Sequence, residues 1–262
     1  IPKDESIVIP SRHLGLSIDE TFCFDTFADR VAEVIDKTVN VDRLLELCTV
    51  EFSGEQTEDV VCSGNRKIAI ARDEAFNFMY RENVEALKRA GEVVFFSPLR
   101  DKSLPEADMV YFPGGYPELH LAELAANEEM RQSVRKYCET GGRVLAECGG
   151  MMYLCDTITG DDGKVYPMAG VLKQGATMEQ MKLKLGYREV RVNGQRIRGH
   201  EFHYSRILPA NEKIPVIGTI YNAKDMVVDT PVYTYKNVLA SYIHFYWGEC
   251  GMDHFLMLMS QK

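Results

Sequence analysis

The sequence predicts an α/β fold in which a parallel sheet is covered on both faces and extra antiparallel strands follow. Two observations carry this prediction. Between residues 67 and 155, short apolar runs alternate with segments of helical spacing, which is typical of parallel strands joined by helices. Beyond Gly160, apolar and polar residues alternate, which is typical of antiparallel strands with one solvated face.

The individual elements follow from these patterns in chain order. The predicted parallel strands are residues 67–71, 92–97, 107–112 and 143–147. The predicted helices are residues 78–90, 119–140 and 149–155. Later strands are expected at 186–192, 196–203, 214–221 and 238–247, with a short helix at the end. Active sites of parallel sheets lie at the carboxyl ends of the strands, where two glycine-rich turns, 113–117 and 148–150, are found.

Residues 1–65 differ from the rest of the chain. Apolar residues in 25–48 recur at roughly helical spacing, with an interruption around Val39 and Asn40, and residues 49–66 form a polar, glycine-containing linker. A helical piece of this size is too small for a core of its own. We therefore predict two domains: residues 1–65 as the end of a preceding domain, and residues 66–262 as the α/β domain.

Composition excludes several classes of partner. The net charge of −9 and the scattered Lys and Arg argue against a nucleic-acid partner. No apolar run reaches the length that spans a bilayer, so no membrane partner is expected. The seven cysteines are odd in number and irregularly spaced, which predicts reduced thiols, no bound metal and a cytoplasmic location.

Cys148 lies where a predicted strand turns abruptly into a helix. Such a turn holds a nucleophile in a strained conformation that points into the cleft, and it requires small neighbours, here Ala146, Gly149 and Gly150. The following helix directs its N-terminal N–H groups at the sulfur, which we expect to lower the thiol pKa. Cys148 is therefore the candidate nucleophile.

Two further features fit acyl transfer at Cys148. The oxyanion that forms in such a reaction needs preorganised backbone donors, which the N–H groups of Gly115 and Gly149 are placed to supply. His244 lies at the end of a late apolar strand, and a Cys–His pair is the minimal activated thiol. A turn or a histidine alone would more often be structural, so the interpretation depends on their combination.

Five motifs in order resemble the glutaminase domain of the cobyrinic acid a,c-diamide synthase (CbiA/CobB) family. The matching stretches are Ala75-Phe-Asn-Phe-Met-Tyr-Arg-Glu-Asn83, Gly114-Gly-Tyr-Pro-Glu-Leu119, Ala146-Glu-Cys-Gly-Gly-Met-Met-Tyr-Leu154, Gly199-His-Glu-Phe-His-Tyr-Ser205 and Ala240-Ser-Tyr-Ile-His244. The resemblance implies a class I glutamine amidotransferase fold, a flavodoxin-like sandwich, from about residue 67 to residue 248. It also implies that residues 1–65 end an ATP-dependent synthetase domain whose phosphate-binding loop is absent from this sequence.

The resemblance implies a division of labour. Cys148 and His244 hydrolyse glutamine, with Gly115 and Gly149 as the oxyanion hole, and ammonia passes to the synthetase domain. There, ATP and Mg²⁺ activate carboxylates of cobyrinic acid or a related tetrapyrrole, while the glutaminase domain itself needs no cofactor. Further candidates for contact with glutamine are Gly114, Glu201, His203 and Ser205, and a homodimer is one option for the assembly.

Two positions depart from the wider class I pattern. The Glu that usually follows the histidine by two residues is replaced by Tyr246, and the Gln that usually follows the nucleophile by four is replaced by Met152. Either the dyad works without an acid, or another acid serves, such as Glu249 or Asp253. The alternatives left open are a nickel sirohydrochlorin or cobyric acid synthase, and a non-catalytic module used as a redox thiol or for protein interaction.

Overall fold

The chain divides into two compact units, residues 1–59 and 60–262. The computed structural model describes residues 3–9, 11–12, 15–16, 23–51, 65–210 and 213–247. Within these ranges, no helix combines the length and apolar character needed to cross a membrane.

The first unit is mainly helical. A 3₁₀ turn at Glu5–Ile7 precedes the paired strands β1 (Ser11–Arg12) and β2 (Gly15–Leu16), then helices α1 (Phe24–Thr38) and α2 (Val41–Cys48). The predicted interruption is confirmed, and the Asn40 side chain caps α2 by accepting a hydrogen bond from Arg43 N at 2.9 Å. Neither helix buries any residue.

The second unit contains the predicted α/β fold. Its elements are β3 (Arg66–Ala71), α3 (Arg81–Ala90), β4 (Gly91–Phe96), β5 (Met109–Phe112), α4 (Leu121–Ala126), α5 (Glu128–Glu139), β6 (Arg143–Glu147), α6 (Gly149–Leu154), β7 (Cys155–Thr159), β8 (Val165–Pro167), β9 (Leu172–Thr177), β10 (Lys184–Val192), β11 (Gln195–His203), β12 (Arg206–Ile207), β13 (Thr219–Asn222), β14 (Val232–Tyr235), β15 (Val238–Ser241) and β16 (Ile243–Tyr246). The expected strand 214–221 is thus shorter and lies at Thr219–Asn222. The helix expected after residue 247 lies outside the described residues.

The central sheet has the strand order β14-β15-β6-β5-β3-β4. All its pairings are parallel except that of β14 with β15, which confirms the predicted parallel sheet with added antiparallel strands. A second sheet, β13-β10-β11-β16, is antiparallel, and a third, β12-β9-β7-β8, is mixed.

The two faces of the central sheet belong to two different cores. Along β3, Ala69 and Ala71 pack with residues of α4, α5 and α6, whereas Ile68 and Ile70 pack with α3 and the antiparallel sheet. Successive strand residues point to opposite faces, so both sets must be apolar. This requirement is why the strands read as continuous apolar runs in the sequence.

The prediction of one long helix over residues 119–140 is wrong in one respect, because the structure has two helices there, separated at Asn127. The Asn127 side-chain amide donates to Pro98 O and Asp101 O, both at 2.8 Å, while its carbonyl caps α5. The backbone at Asn127 leaves the helical region, at φ −81° and ψ 67°. A buried tertiary role for one polar side chain therefore overrides a helical pattern.

The prediction of a single strand over residues 238–247 is also wrong, because this segment forms two strands that belong to two sheets. β15 pairs with β6 in the central sheet, and β16 pairs with β11 in the antiparallel sheet. Ser241 O accepts a hydrogen bond from Cys148 N at 2.7 Å, and the chain then passes through Tyr242 to the second sheet. The change of sheet is invisible in the sequence, because both halves are buried and apolar.

Candidate active site

Cys148 occupies the turn between β6 and α6, as the sequence predicts. Its backbone is at φ 46° and ψ −106°, a region that residues with a side chain seldom adopt. A methyl group built on Gly149 would lie 2.7 Å from Pro117 Cδ, and one on Gly150 would lie 2.3 Å from Phe112 O. The small residues are therefore required, because neighbouring backbone and the proline ring fill the space that a side chain would take.

The thiol of Cys148 has a raised pKa, contrary to the lowering expected from the helix N-terminus. Burial is the main cause, and the negative charge of Glu118 adds to it, whereas the Gly149 N–H acts in the opposite direction. Cys148 is 7% exposed, and its sulfur lies 4.0 Å from Phe202 O. Burial outweighs the helix terminus, so the resting group is a thiol rather than a thiolate.

The turn formed by Gly114 and Gly115 lies between the nucleophile and the histidine. A methyl group on Gly114 would lie 2.3 Å from His244 Cε1, so the glycine allows close contact with the imidazole. The position of a Cβ on Gly149 is 3.2 Å from Gly115 N, which places the two candidate oxyanion donors near each other. Among the described residues, neither N–H donates a hydrogen bond to a backbone carbonyl.

His244 is 4% exposed and enclosed by aromatic rings. Its ring stacks on His200 with centroids 4.8 Å apart, and Phe78 packs edge-on at 4.7 Å. Burial lowers the pKa of His244 to about 3, with further lowering from His200 and His203. Within the described ranges, the buried Nδ1 atom of His244 has no hydrogen-bond partner.

Three site residues, His200, Tyr80 and Phe78, were not predicted from the sequence. They contact one another, and two of them contact His244: Tyr80 OH lies 2.5 Å from His200 Nδ1, and both Phe78 and His200 pack against the His244 ring. A signal was present, since Phe78 and Tyr80 fall in the first matching motif and His200 in the fourth. Their role depends on contacts across β11 and β16 that the sequence does not reveal.

Glu201, His203 and Ser205 lie in a buried polar network. Glu201 accepts hydrogen bonds from Arg188 Nε at 2.7 Å and Thr230 Oγ1 at 2.8 Å, and His203 Nε2 lies 2.8 Å from its other oxygen. Burial acts to raise the pKa of Glu201, but the His203 hydrogen bond, the charge of Lys184 and the Thr230 hydrogen bond outweigh it and lower the pKa to about 2.

The network reaches the helix of the nucleophile through Ser205. The Ser205 hydroxyl donates to Met152 Sδ at 3.3 Å and lies 2.9 Å from Tyr242 OH, while His203 stacks on the Tyr242 ring at 3.5 Å. Met152, which replaces the usual Gln, is therefore part of this packing. A direct contact of Glu201, His203 or Ser205 with glutamine stays a prediction.

The position of the usual third acid is occupied by an aromatic ring. Tyr246 packs edge-on against Tyr80, with centroids 5.4 Å apart. Glu249 and Asp253, the two acids proposed as replacements, lie outside the described residues. Glu147, next to Cys148, is buried and accepts hydrogen bonds from Tyr111 OH at 2.8 Å and Phe245 N at 3.2 Å.

Comparison with known proteins assigns this arrangement to a family. The family model for the CobB/CobQ-like glutamine amidotransferase domain matches residues 67–251. The chain belongs to this family. The match begins at the central sheet and includes the cysteine, the two glycines and the histidine described above.

Curated relatives of this amidotransferase family align over nearly the whole chain. A cobyrinate a,c-diamide synthase from Salmonella typhimurium is 34% identical over 95% of this chain and 57% of its own length. A hydrogenobyrinate a,c-diamide synthase from Pseudomonas aeruginosa is 37% identical over 94% of this chain and 56% of its own length. The chain thus spans little more than half the length of these relatives.

A solved structure described as a glutamine amidotransferase is also similar. It is 22% identical, covers 74% of this chain and 99% of its own length, and has a TM-score of 0.48.

Proposed function

We propose that residues 66–262 hydrolyse glutamine and supply ammonia to an a,c-diamide synthase acting on cobyrinate or a closely related tetrapyrrole. The observation that carries the proposal is the Gly114–Gly115 turn. It contacts His244 on one side and, on the other, the turn between β6 and α6 at Cys148, which we call the Cys148 elbow. Family membership and the names of the relatives support the substrate class.

The first step is attack on the glutamine amide. The Cys148 thiol loses its proton to His244 as the sulfur adds to the side-chain carbonyl carbon, and the oxyanion is held by Gly115 N–H and Gly149 N–H. Burial lowers the pKa of His244 to about 3, so the ring is neutral at working pH and one of its nitrogens carries no proton. His244 then gives the proton to the leaving nitrogen, which departs as ammonia and leaves a glutamyl thioester.

The second step releases glutamate. His244 takes a proton from water, the resulting hydroxide adds to the thioester carbon, and the thiol leaves with its proton restored. Because both Cys148 and His244 begin and end neutral, the site needs no resting ion pair. Such a mechanism is compatible with a nucleophile whose pKa is raised by burial.

We assign the ammonia acceptor and the nucleotide to the part of the relatives that this chain does not span. The sequence contains no Gly-x-x-x-x-Gly-Lys-Ser/Thr loop, the element that cradles phosphates and helps to hold Mg²⁺. In the first unit, α1 and α2 bury none of their residues and expose Phe24, Leu45 and Leu47. We infer that residues 1–65 complete the apolar core of a larger ATP-dependent domain.

A glutamine-directed label tests the glutaminase. A diazo-ketone analogue of glutamine should add one equivalent to Cys148, located by peptide mass mapping, and leave the exposed Cys23 and Cys48 unmodified. Cys148→Ala should abolish the adduct, and Cys155→Ala, which changes a buried thiol at the other end of α6, should retain it. Labelling that survives Cys148→Ala would overturn the assignment of the nucleophile.

The substrate is tested on the whole protein. With glutamine, ATP and Mg²⁺, we expect amidation of cobyrinate, detected by mass, and none of nickel sirohydrochlorin. Amidation of the nickel macrocycle alone would identify that macrocycle as the related tetrapyrrole, and amidation of neither would contradict the proposal. We expect the isolated chain to hydrolyse glutamine slowly, since it spans little more than half the length of its relatives.

A redox-sensing thiol is the competing function, and the electrostatics oppose it. Sensor cysteines are accessible and have a low pKa. Cys148 is buried and its thiol pKa is raised.

A further inference from the structure

His200 lies directly opposite His244 in the antiparallel pairing of β11 with β16. Side chains of directly opposite residues share one face of the sheet and interact. Here the two imidazole rings stack with centroids 4.8 Å apart and planes inclined by 15°. The fold therefore places a second histidine ring flat against the candidate catalytic one.

The orientation of the His200 ring is itself fixed by Tyr80. Burial raises the pKa of Tyr80 to about 12, so the phenol keeps its proton, and its oxygen is hydrogen-bonded to His200 Nδ1, 2.5 Å away. Burial also lowers the pKa of His200, which favours the neutral ring. A neutral, hydrogen-bonded ring cannot turn freely about its χ2 angle.

Phe78 closes the arrangement and ties it to the oxyanion turn. Its ring packs edge-on against His244 at 4.7 Å and against His200 at 5.7 Å. Its backbone N–H donates to Gly114 O at 3.0 Å, so the aromatic group moves with the turn that contacts His244. The three rings of Phe78, Tyr80 and His200 form one unit, which we call the aromatic clamp.

We propose that His200, held by Tyr80, is a positioning residue that orients His244 by ring packing, in place of the carboxylate used by the wider class. This inference rests on the proposed function of His244. The residue two after His244 is Tyr246, and no described residue accepts a hydrogen bond from the buried His244 Nδ1.

The substitution of a ring for an acid has a chemical consequence. A carboxylate fixes the histidine and also stabilises its protonated form, whereas a neutral stacked ring fixes only its orientation. His244 then stays neutral until the Cys148 proton reaches it. The clamp should thus act on the rate of the chemical step and leave glutamine binding unchanged, because His200 reaches the reaction only through His244.

Inactivation by the diazo-ketone analogue separates these two effects, because its concentration dependence gives a binding constant and a maximal rate. In the full chain, His200→Ala should lower the maximal rate by about 10- to 100-fold, the cost of a slightly misplaced catalytic group, with the binding constant unchanged. His200→Phe keeps a ring in the stack and should retain most of the rate. The maximal rate of Tyr80→Phe should lie between those of His200→Ala and His200→Phe. The control is Tyr246→Phe, which removes only a hydroxyl and should match the parent protein.

A direct readout of orientation accompanies the kinetics. In protein labelled with ¹³C-histidine, His244, assigned by its loss in His244→Ala, should give one sharp ring signal. His200→Ala should broaden or split it, and His200→Phe should restore it. If His200→Ala fails to fold, as judged by circular dichroism, the Phe and Tyr80 variants carry the test.

Several outcomes would overturn the inference. A full rate in His200→Ala would show that His244 needs no clamp, and loss of rate in Glu249→Gln or Asp253→Asn instead would restore an acidic third member. A His200→Phe variant as slow as His200→Ala would assign the role to a ring nitrogen. A weaker binding constant at an unchanged rate would make His200 a substrate contact. Failure of the parent protein to react at all would refute the proposed glutaminase rather than the clamp alone.

Discussion

The carboxylate of Glu147 accepts a hydrogen bond from the backbone N–H of Phe245 at 3.2 Å, joining the residue before Cys148 to the residue after His244. Tyr111 OH donates to the other carboxylate oxygen at 2.8 Å. Burial nevertheless raises the pKa of Glu147 to about 8. One buried acid thus couples the strand of the nucleophile to the strand of the histidine.

Glu147 should make the protein less stable as the pH rises. The native carboxyl keeps its proton up to about pH 8, whereas the unfolded one loses it near its ordinary pKa of 4.5, so the native state binds more protons between these values and stability falls across that window. Glu147→Gln has no such titration. Urea unfolding should show similar stability at pH 5 and an advantage of a few kcal/mol for Glu147→Gln at pH 8.5. Parallel pH curves for the two proteins would contradict this.

The rate at which the resting Cys148 thiol is modified should rise steadily with pH, without the low-pH plateau that a thiolate–imidazolium ion pair produces. Because the pKa of Cys148 is raised and His244, with a pKa of about 3, is neutral, the thiolate fraction should grow about tenfold per pH unit up to pH 9. The measurement is the rate of iodoacetamide modification of the Cys148 peptide, followed by mass spectrometry between pH 6 and 9. A rate constant that is level below pH 8 would indicate a thiolate–imidazolium pair instead.

The negative charge of Glu118 should slow the modification of the Cys148 thiol. Its charge is the second cause of the raised pKa of Cys148, and burial raises its own pKa to about 7. Glu118→Gln should therefore speed iodoacetamide modification of Cys148 several-fold at pH 8, where the parent carboxylate is ionised. The control is Glu123→Gln, which removes an exposed carboxylate of α4. Equal rates in Glu118→Gln and Glu123→Gln would exclude this effect.

Gly114→Ala should damage the site without unfolding the domain. The added methyl would lie 2.3 Å from His244 Cε1 and 2.9 Å from Nδ1, so the imidazole must move. We expect labelling by the diazo-ketone analogue to slow by about 10- to 100-fold. Gly175→Ala is the matched control, because the atoms nearest to its methyl are side-chain atoms of Thr157 and Leu208, at 3.1 and 3.2 Å. Comparable slowing in both variants would point to general destabilisation.

The parts of the fold set by local pattern were predictable from sequence, and the parts set by tertiary contacts were not. The four parallel strands that begin at Arg66, Gly91, Met109 and Arg143 were expected within a few residues, because burial on both faces leaves a continuous apolar run. The break at Asn127 was missed, because it depends on carbonyl groups of a loop distant in sequence.

The candidate site divides in the same way. The Cys148 elbow could be predicted from the small residues beside Cys148, because the requirement for small residues arises within the turn itself. The raised pKa of Cys148 was missed, because burial is decided by strands and helices that pack over the turn. The clamp residue His200 was missed as well, since only the pairing of β11 with β16 places it against His244.

The separation of Cys148 and His244 onto two sheets affects the order in which the site is made. The elbow leaves the ribosome 96 residues before the histidine. At synthesis rates of about 5–20 residues per second, this is an interval of roughly 5–20 s. During it, the nascent chain contains the Cys148 thiol but not yet His244. On the proposed mechanism, glutamine hydrolysis cannot begin until the antiparallel sheet has received β16, its last strand in chain order.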